Sequence, residues 1–190
     1  MKTIKILSGI LLVIMTISCS SDDSKPSYPV ENPLESFYQQ TNLLDTGTRL
    51  NAGSNVFGLV FSPNVKGVMK GITVKLPEAN PTLKVTIWDF TTREVLKTET
   101  INVSSPITLI SHPISGLELE KDKKYMITMV SDDWYFRGRL DESDIEYPIT
   151  TGNIKILEFR WGYPDGQGFP IYLPTFYVRG DLSFDVKRTE

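Results

Sequence analysis

Phe176-Tyr177-Val178-Arg179-Gly180-Asp181-Leu182-Ser183-Phe184-Asp185-Val186-Lys187 sets one residue class against another at every second position. Phe176, Val178, Gly180, Leu182, Phe184 and Val186 alternate with Tyr177, Arg179, Asp181, Ser183, Asp185 and Lys187. Successive side chains of a strand point to opposite faces, so this period of two predicts a half-buried antiparallel strand. Its length predicts one long strand lying centrally in a sheet. The same period recurs upstream. Val68, Ile72, Val74 and Leu76 fall at even spacing until Pro77. Leu83, Val85 and Ile87 alternate with Lys84, Thr86 and Trp88, and Tyr125, Ile127 and Met129 alternate with Met126, Thr128 and Val130. Val56–Phe61, Val95–Val103, Ile107–Ile110 and Ile154–Phe159 are further strand candidates.

Turn-forming stretches separate these runs: Ser62-Pro63-Asn64, Glu78-Ala79-Asn80-Pro81, Glu120-Lys121-Asp122-Lys123 and Pro164-Asp165-Gly166-Gln167-Gly168. Helical periodicity is weak throughout, leaving room for a helical turn at Pro33–Asn42 and another at Asp141–Glu146. Short strands with regular turns predict an all-β fold, a two-sheet antiparallel β-sandwich of jelly-roll type.

The N-terminus reads as an address. Lys2 and Lys5 precede the apolar run Ile10–Ile17, and Ser18 leads to Cys19, the single cysteine of the chain. A basic start and a short apolar core are the marks of a secretory signal. A small residue followed by cysteine is the cleavage site of a bacterial lipoprotein, with Cys19 as the lipidated residue. Thr16 departs from the Leu preferred three residues before that cysteine. The expected division is a signal peptide at 1–18, a lipidated N-terminus and linker at 19–33, and a single sandwich domain at 34–190. The linker carries Pro26, Pro29 and Pro33, which favour an extended spacer. Ser20-Ser21-Asp22-Asp23-Ser24 resembles the Ser/Asp-rich export tag of Bacteroidota-type lipoproteins. That resemblance implies an outer-membrane protein, anchored by lipid and facing the exterior.

Removing residues 1–18 takes two lysines from 20 basic residues and leaves 23 acidic ones, a net charge of −5. That balance argues against nucleic acid as a partner, because binding it requires basic groups at the phosphates. With Cys19 lipidated, no thiol remains for a disulfide or a cysteine metal site, and the lone His112 excludes a multi-histidine site.

Gly71-Ile72-Thr73-Val74-Lys75-Leu76-Pro77, Leu83-Lys84-Val85-Thr86-Ile87-Trp88-Asp89, Val95-Leu96 and Leu117-Glu118-Leu119 before Lys124-Tyr125-Met126-Ile127-Thr128 follow a recognisable order. Over residues 55–130 it resembles the domain-of-unknown-function jelly-roll sandwiches of bacterial surface lipoproteins, which also occur beside glycoside hydrolase modules. The resemblance implies a galactose-binding-like sandwich with a non-catalytic role and carries no ligand with it.

The residues themselves offer little catalytic chemistry. His112, in Ser111-His112-Pro113, has no Gly-x-Ser-x-Gly elbow to serve. Asp132-Asp133 are adjacent and so point to opposite faces of a strand, the wrong geometry for a glycosidase pair. Asp141-Glu142, Asp144 and Glu146 read as a solvated loop. The chain is therefore expected not to be an enzyme and to need no cofactor. Asp165-Gly166-Gln167-Gly168 and Asp132-Asp133 offer oxygen donors to a structural calcium, although no EF-hand pattern is present.

The aromatic loops are the candidate binding site. Trp134-Tyr135-Phe136 precedes Arg137 and Arg139, and Trp161-Gly162-Tyr163-Pro164 opens a Gly/Pro-rich loop running past Asp165 to Phe169-Pro170-Ile171-Tyr172. Sugars stack their C–H faces on Trp and Tyr while Asp and Arg bond their hydroxyls, and a loop stiffened by Pro loses little entropy on binding. Trp134, Tyr135, Trp161, Tyr163, Asp165 and Arg137 are the expected ligand residues. The same pattern also fits aromatics that alternate between core and surface, with Trp161 plugging one end of the sandwich. Trp88 reads as core or inter-sheet packing. Two functions stay open: a module that binds glycan or another extracellular ligand, and a structural or adhesion protein, or an accessory subunit in a surface protein assembly.

Overall fold

The computed structural model describes residues 27–164 and 168–190. In chain order these form β1 (Val30–Glu31), α1 (Pro33–Thr41), β2 (Leu44–Arg49), β3 (Asn55–Pro63), β4 (Gly67–Lys75), β5 (Asn80–Asp89), β6 (Val95–Val103) and β7 (Ile110–Leu119). There follow β8 (Tyr125–Ser131), β9 (Trp134–Gly138), β10 (Ile149–Thr151), β11 (Ile154–Gly162), β12 (Tyr177–Arg179) and β13 (Asp181–Arg188). All pairings are antiparallel. A six-stranded sheet in the order β10-β11-β3-β8-β5-β6 faces a four-stranded sheet, β1-β13-β4-β7, and a three-stranded one, β12-β9-β2. The protein is an all-β sandwich.

The alternation explains which side chains meet between the layers. Phe57, Leu59 and Phe61 of β3 enter the main core with Val85 and Ile87 of β5 and Ile127 and Met129 of β8. Phe61 meets Phe184 of β13 with ring centroids 4.2 Å apart, and Phe57 meets Trp134 of β9 at 4.9 Å. One contact joins the six-stranded sheet to the four-stranded sheet and the other joins it to the three-stranded sheet. The opposite face of the six-stranded sheet is covered too. Val60, Trp88, Met126 and Phe169 form a second cluster there. β3 is thus buried on both faces, which is why Val56–Phe61 reads as a continuous apolar run. Trp88 packs edge-on against Phe169 at 5.5 Å and its indole N–H donates to Thr128 Oγ1 at 2.9 Å.

Three departures from the sequence reading have local causes. The closing run divides at Gly180, whose φ of +81° is open to glycine and strained for other residues. β12 pairs with β9 and β13 pairs with β4, so the two halves serve different sheets. Ile107 is a turn residue with φ +66°, and its strand begins only at Ile110 and continues through Pro113. Proline is tolerated there because β7 is an edge strand. Asp141–Glu146 holds a turn rather than a helix, with the Asp141 carboxylate accepting from the Ser143 N–H and hydroxyl.

The spacer also ends earlier than expected. β1 pairs with Val186 and Lys187 of β13, and the Arg188 guanidinium lies 3.9 Å from the Tyr28 ring centroid. Asn32 then starts α1, where Pro33 fits the first turn. The Asn32 side-chain carbonyl accepts from the Leu34 N–H at 3.2 Å and from the Ser183 hydroxyl at 2.8 Å. Its amide donates to Thr73 Oγ1 and Asp185 Oδ1 at 2.8 and 2.9 Å. One side chain therefore caps the helix and ties it to β4 and β13. Asn32→Ala is expected to cost about 1–2 kcal/mol, from the lost cap and the stranded Ser183 hydroxyl. Urea unfolding measures this; a change below the error of the midpoint would show that the cap is dispensable.

Candidate functional site

β11 ends at Trp161-Gly162, and the chain returns to it at Tyr172 through a single bridge. The Trp161 N–H donates to the Tyr172 carbonyl at 3.0 Å, and the Tyr172 N–H donates back at 2.9 Å. Gly162 permits this return: a Cβ there would lie 3.3 Å from Pro170 Cα and 3.5 Å from the Ile171 nitrogen. The bridge brings three aromatic rings together. Trp161 and Tyr172 lie 4.8 Å apart at 34°, and Tyr163 stands edge-on to both, at 5.8 and 6.3 Å. Tyr163 is 64% exposed and Tyr172 46%, with Trp161 half-buried between them and the core.

Arg179 of β12 lies beneath this group. Its guanidinium carbon is 4.2 Å from the Trp161 ring centroid and 5.0 Å from that of Tyr177. Phe136 stacks on Tyr177 at 4.9 Å, extending the aromatic row onto the three-stranded sheet. Cation–π contact holds the guanidinium against Trp161. The buried Arg179 Nε has no hydrogen-bond partner among the described residues. Chemically, the arrangement is a pair of exposed phenol rings on a fixed backbone, backed by an indole and a cation. It offers apolar faces for stacking and phenol hydroxyls for hydrogen bonds.

The expected ligand residues divide. Trp161 and Tyr163 come together here. Trp134, Tyr135 and Arg137 do not join them in that role. Trp134 is 4% exposed and lies in the main core, and Tyr135 is buried as well. Arg137 forms a fork with the buried Asp181, donating from Nε to Oδ1 at 2.9 Å and from Nη2 to Oδ2 at 2.5 Å. Tyr38 donates to the same Oδ1 at 3.0 Å, and its ring lies 4.9 Å from the Arg137 guanidinium. Burial, then the Asp181 charge, pushes the Tyr38 phenol well above its usual range, while the bond to Asp181 raises Arg137 further. This triad is a structural tie between α1, β9 and β13. Asp165 and Cys19 lie outside the described residues. Tyr172 and Arg179 were absent from the expected set. Tyr172 lies within the same Gly/Pro loop, which is a usable signal, whereas Arg179 reads from sequence as an ordinary outward strand residue.

Other candidates resolve into structure. Asp132 is exposed, while buried Asp133 accepts from the Glu78 N–H at 2.8 Å and the Ser131 hydroxyl at 2.9 Å. Among the described residues, no group of three or more His, Cys, Asp and Glu side chains is placed to hold a metal. His112 Nε2 lies 3.5 Å from a Glu99 carboxylate oxygen across the β6 and β7 edges. The apolar cavity under α1, lined by Phe37, Phe57 and Val178 among others, holds about 10 Å³ and has no room for a ligand. No helix among the described residues is long and apolar enough to cross a membrane. No protein-family model matches the chain, and no curated protein shows detectable similarity to it.

Proposed function

We propose that the chain is an outer-membrane lipoprotein, anchored through Cys19 and facing the exterior, whose sandwich is a non-catalytic module that binds glycan through the Trp161–Tyr163–Tyr172 platform. The observation that carries this reading is the exposure of Tyr172, whose backbone is fixed to Trp161 by paired hydrogen bonds, with the exposed Tyr163 ring edge-on beside it. Ordering exposed side chains is a main cost of association, and this loop meets part of that cost before a ligand arrives. The anchor and its outward orientation rest on the sequence alone.

Tyr163→Ala and Tyr172→Ala are each expected to weaken binding to a recognised glycan by about tenfold or more, the scale of one lost aromatic contact together with its buried area. Both rings are largely solvent-exposed and lose only their contact with Trp161, so unfolding free energies should stay within about 1.5 kcal/mol of wild type. A glycan array, followed by calorimetry on the hits, tests both statements. Retained affinity in the two variants would refute the platform.

A second reading is favoured by the apolar neighbours of the platform. Ile171 and Leu173 are also exposed beside Tyr172. A protein partner would bury these aliphatic side chains as well as the rings, as an adhesion protein or accessory subunit requires. Stoichiometric co-purification of a protein from solubilised outer membrane, lost in Tyr172→Ala, would favour that reading.

A further inference from the structure

Thr91, Arg93, Lys124 and Arg160 line an open cleft of about 400 Å³ with the rings of Phe90 and Phe169. That volume falls within the roughly 300–1,000 Å³ of ligand pockets. The cleft belongs to the outer face of the six-stranded sheet, where Phe90 packs with Trp88 and Phe169, and it is separate from the aromatic platform. Among the described residues, three cations and no acid line it, in a chain whose net charge is −3.

The cleft walls are held in place. The Asp89 carboxylate accepts the N–H groups of Thr91 and Thr92 at 2.9 and 3.0 Å, folding the β5–β6 turn. The Arg93 N–H donates to the Asp89 carbonyl at 2.9 Å, and the Phe90 N–H donates to the Lys124 carbonyl at 3.0 Å. The Thr92 N–H bond, joined by Lys123, keeps the Asp89 carboxyl below the usual carboxylate range. Arg93 lies 4.9 Å from the Phe169 ring centroid and Arg160 lies 4.9 Å from that of Phe90, so each guanidinium rests on an aromatic face.

Two nearby acids are held in ion pairs, and Glu94, next to Arg93, accepts from the Thr92 hydroxyl at 3.3 Å. Asp89 pairs with Lys123 at 3.2 Å, and Glu158 pairs with Arg160 at 2.6 Å. Among the described residues, Arg93 and Lys124 have no ion-pair partner. Two cations outside these ion pairs and the Glu158-paired Arg160 guanidinium thus face a common opening. We propose that this cleft is an oxyanion site that takes the carboxylate or sulfate groups of an acidic polysaccharide. A planar guanidinium bonds either group through two N–H donors, and the lysine adds a point charge. The polymer class rests on the glycan reading of the platform; the oxyanion chemistry does not.

The test measures binding of the full chain, in mild detergent, to a short oligouronate, a neutral oligosaccharide and inorganic sulfate. Lys124→Glu changes an exposed side chain and leaves the backbone bond to Phe90 in place. Arg93→Asn suits the φ of +60° at that position, which Asn tolerates better than most residues. Lys124→Glu is expected to weaken oligouronate binding by about tenfold or more, and Arg93→Asn by less, with neutral-glycan binding and melting temperature unchanged. Sulfate should compete with the oligouronate in the wild type, and added salt should weaken the complex. Oligouronate affinity unaltered by Lys124→Glu, or lost instead in Tyr172→Ala, would overturn the site. Sulfate binding without oligouronate binding would overturn the polymer assignment. Lys124-dependent oligouronate binding alongside Tyr172-independent neutral binding would uphold the cleft while removing the platform.

Discussion

Asp181→Ala is expected to lower the unfolding free energy by about 3–5 kcal/mol, the loss typical when one partner of a buried ion pair is removed. Asp181 is 3% exposed and receives both prongs of the Arg137 fork and the Tyr38 hydroxyl. Without it, a guanidinium that is mostly buried keeps its charge and loses its counter-charge. Asp45, 3.8 Å from Arg137 and half-exposed, offers little compensation. A loss of that size takes a large share of the roughly 5–15 kcal/mol that holds an ordinary domain folded. The double variant Asp181→Leu with Arg137→Met should recover part of it, because removing both charges leaves no buried unpaired ion and strands only the Tyr38 hydroxyl. Urea denaturation of the three proteins reads the difference. A loss below about 1 kcal/mol for Asp181→Ala would place this pair among the weak surface ones.

The same triad shows where the sequence falls silent. Arg137 and Asp181 are 44 residues apart, and nothing in either neighbourhood says that they meet. The strand pattern, in contrast, is local, because a period of two is written into neighbouring residues. The β6 boundaries Val95 and Val103 therefore agree with the expected ones, while β5 extends to Asn80 and Asp89 and β8 by Ser131 alone. β2 escaped notice because Leu44-Asp45-Thr46-Gly47-Thr48-Arg49 is an exposed edge strand with no apolar face to betray it. Gly180 escaped notice because a glycine at an apolar position does not interrupt the alternation, yet its backbone turns the chain from one sheet to another. For the site, Trp161 and Tyr163 were legible from the Gly/Pro loop that carries them. Trp134 and Tyr135 shared their composition but not their surroundings: β9 lies between β12 and β2, and its Trp134 meets Phe57 across the sandwich. Composition names the residues able to stack on a sugar, and only the packing partner on the far side decides which of them are free to do so.

Trp134→Ala tests that distinction at its sharpest and is expected to cost about 3–5 kcal/mol, as removal of a large buried aromatic does. The indole fills the space over Phe57 and carries a buried N–H with no partner among the described residues. Trp134→Phe keeps an aromatic ring against Phe57 and deletes that N–H. An unsatisfied buried donor costs about 1–3 kcal/mol, so its removal offsets much of the lost ring volume. The phenylalanine variant should therefore lie within about 1.5 kcal/mol of wild type, as a near-conservative core exchange does. Its glycan binding should match the wild type, since Tyr163 and Tyr172 keep their positions. A ligand-stacking indole would give the opposite pair of results: a small stability change in Trp134→Ala and a loss of binding in both variants. Thermal melts and calorimetry on the two proteins separate a tryptophan that holds the sheets together from one that holds a sugar.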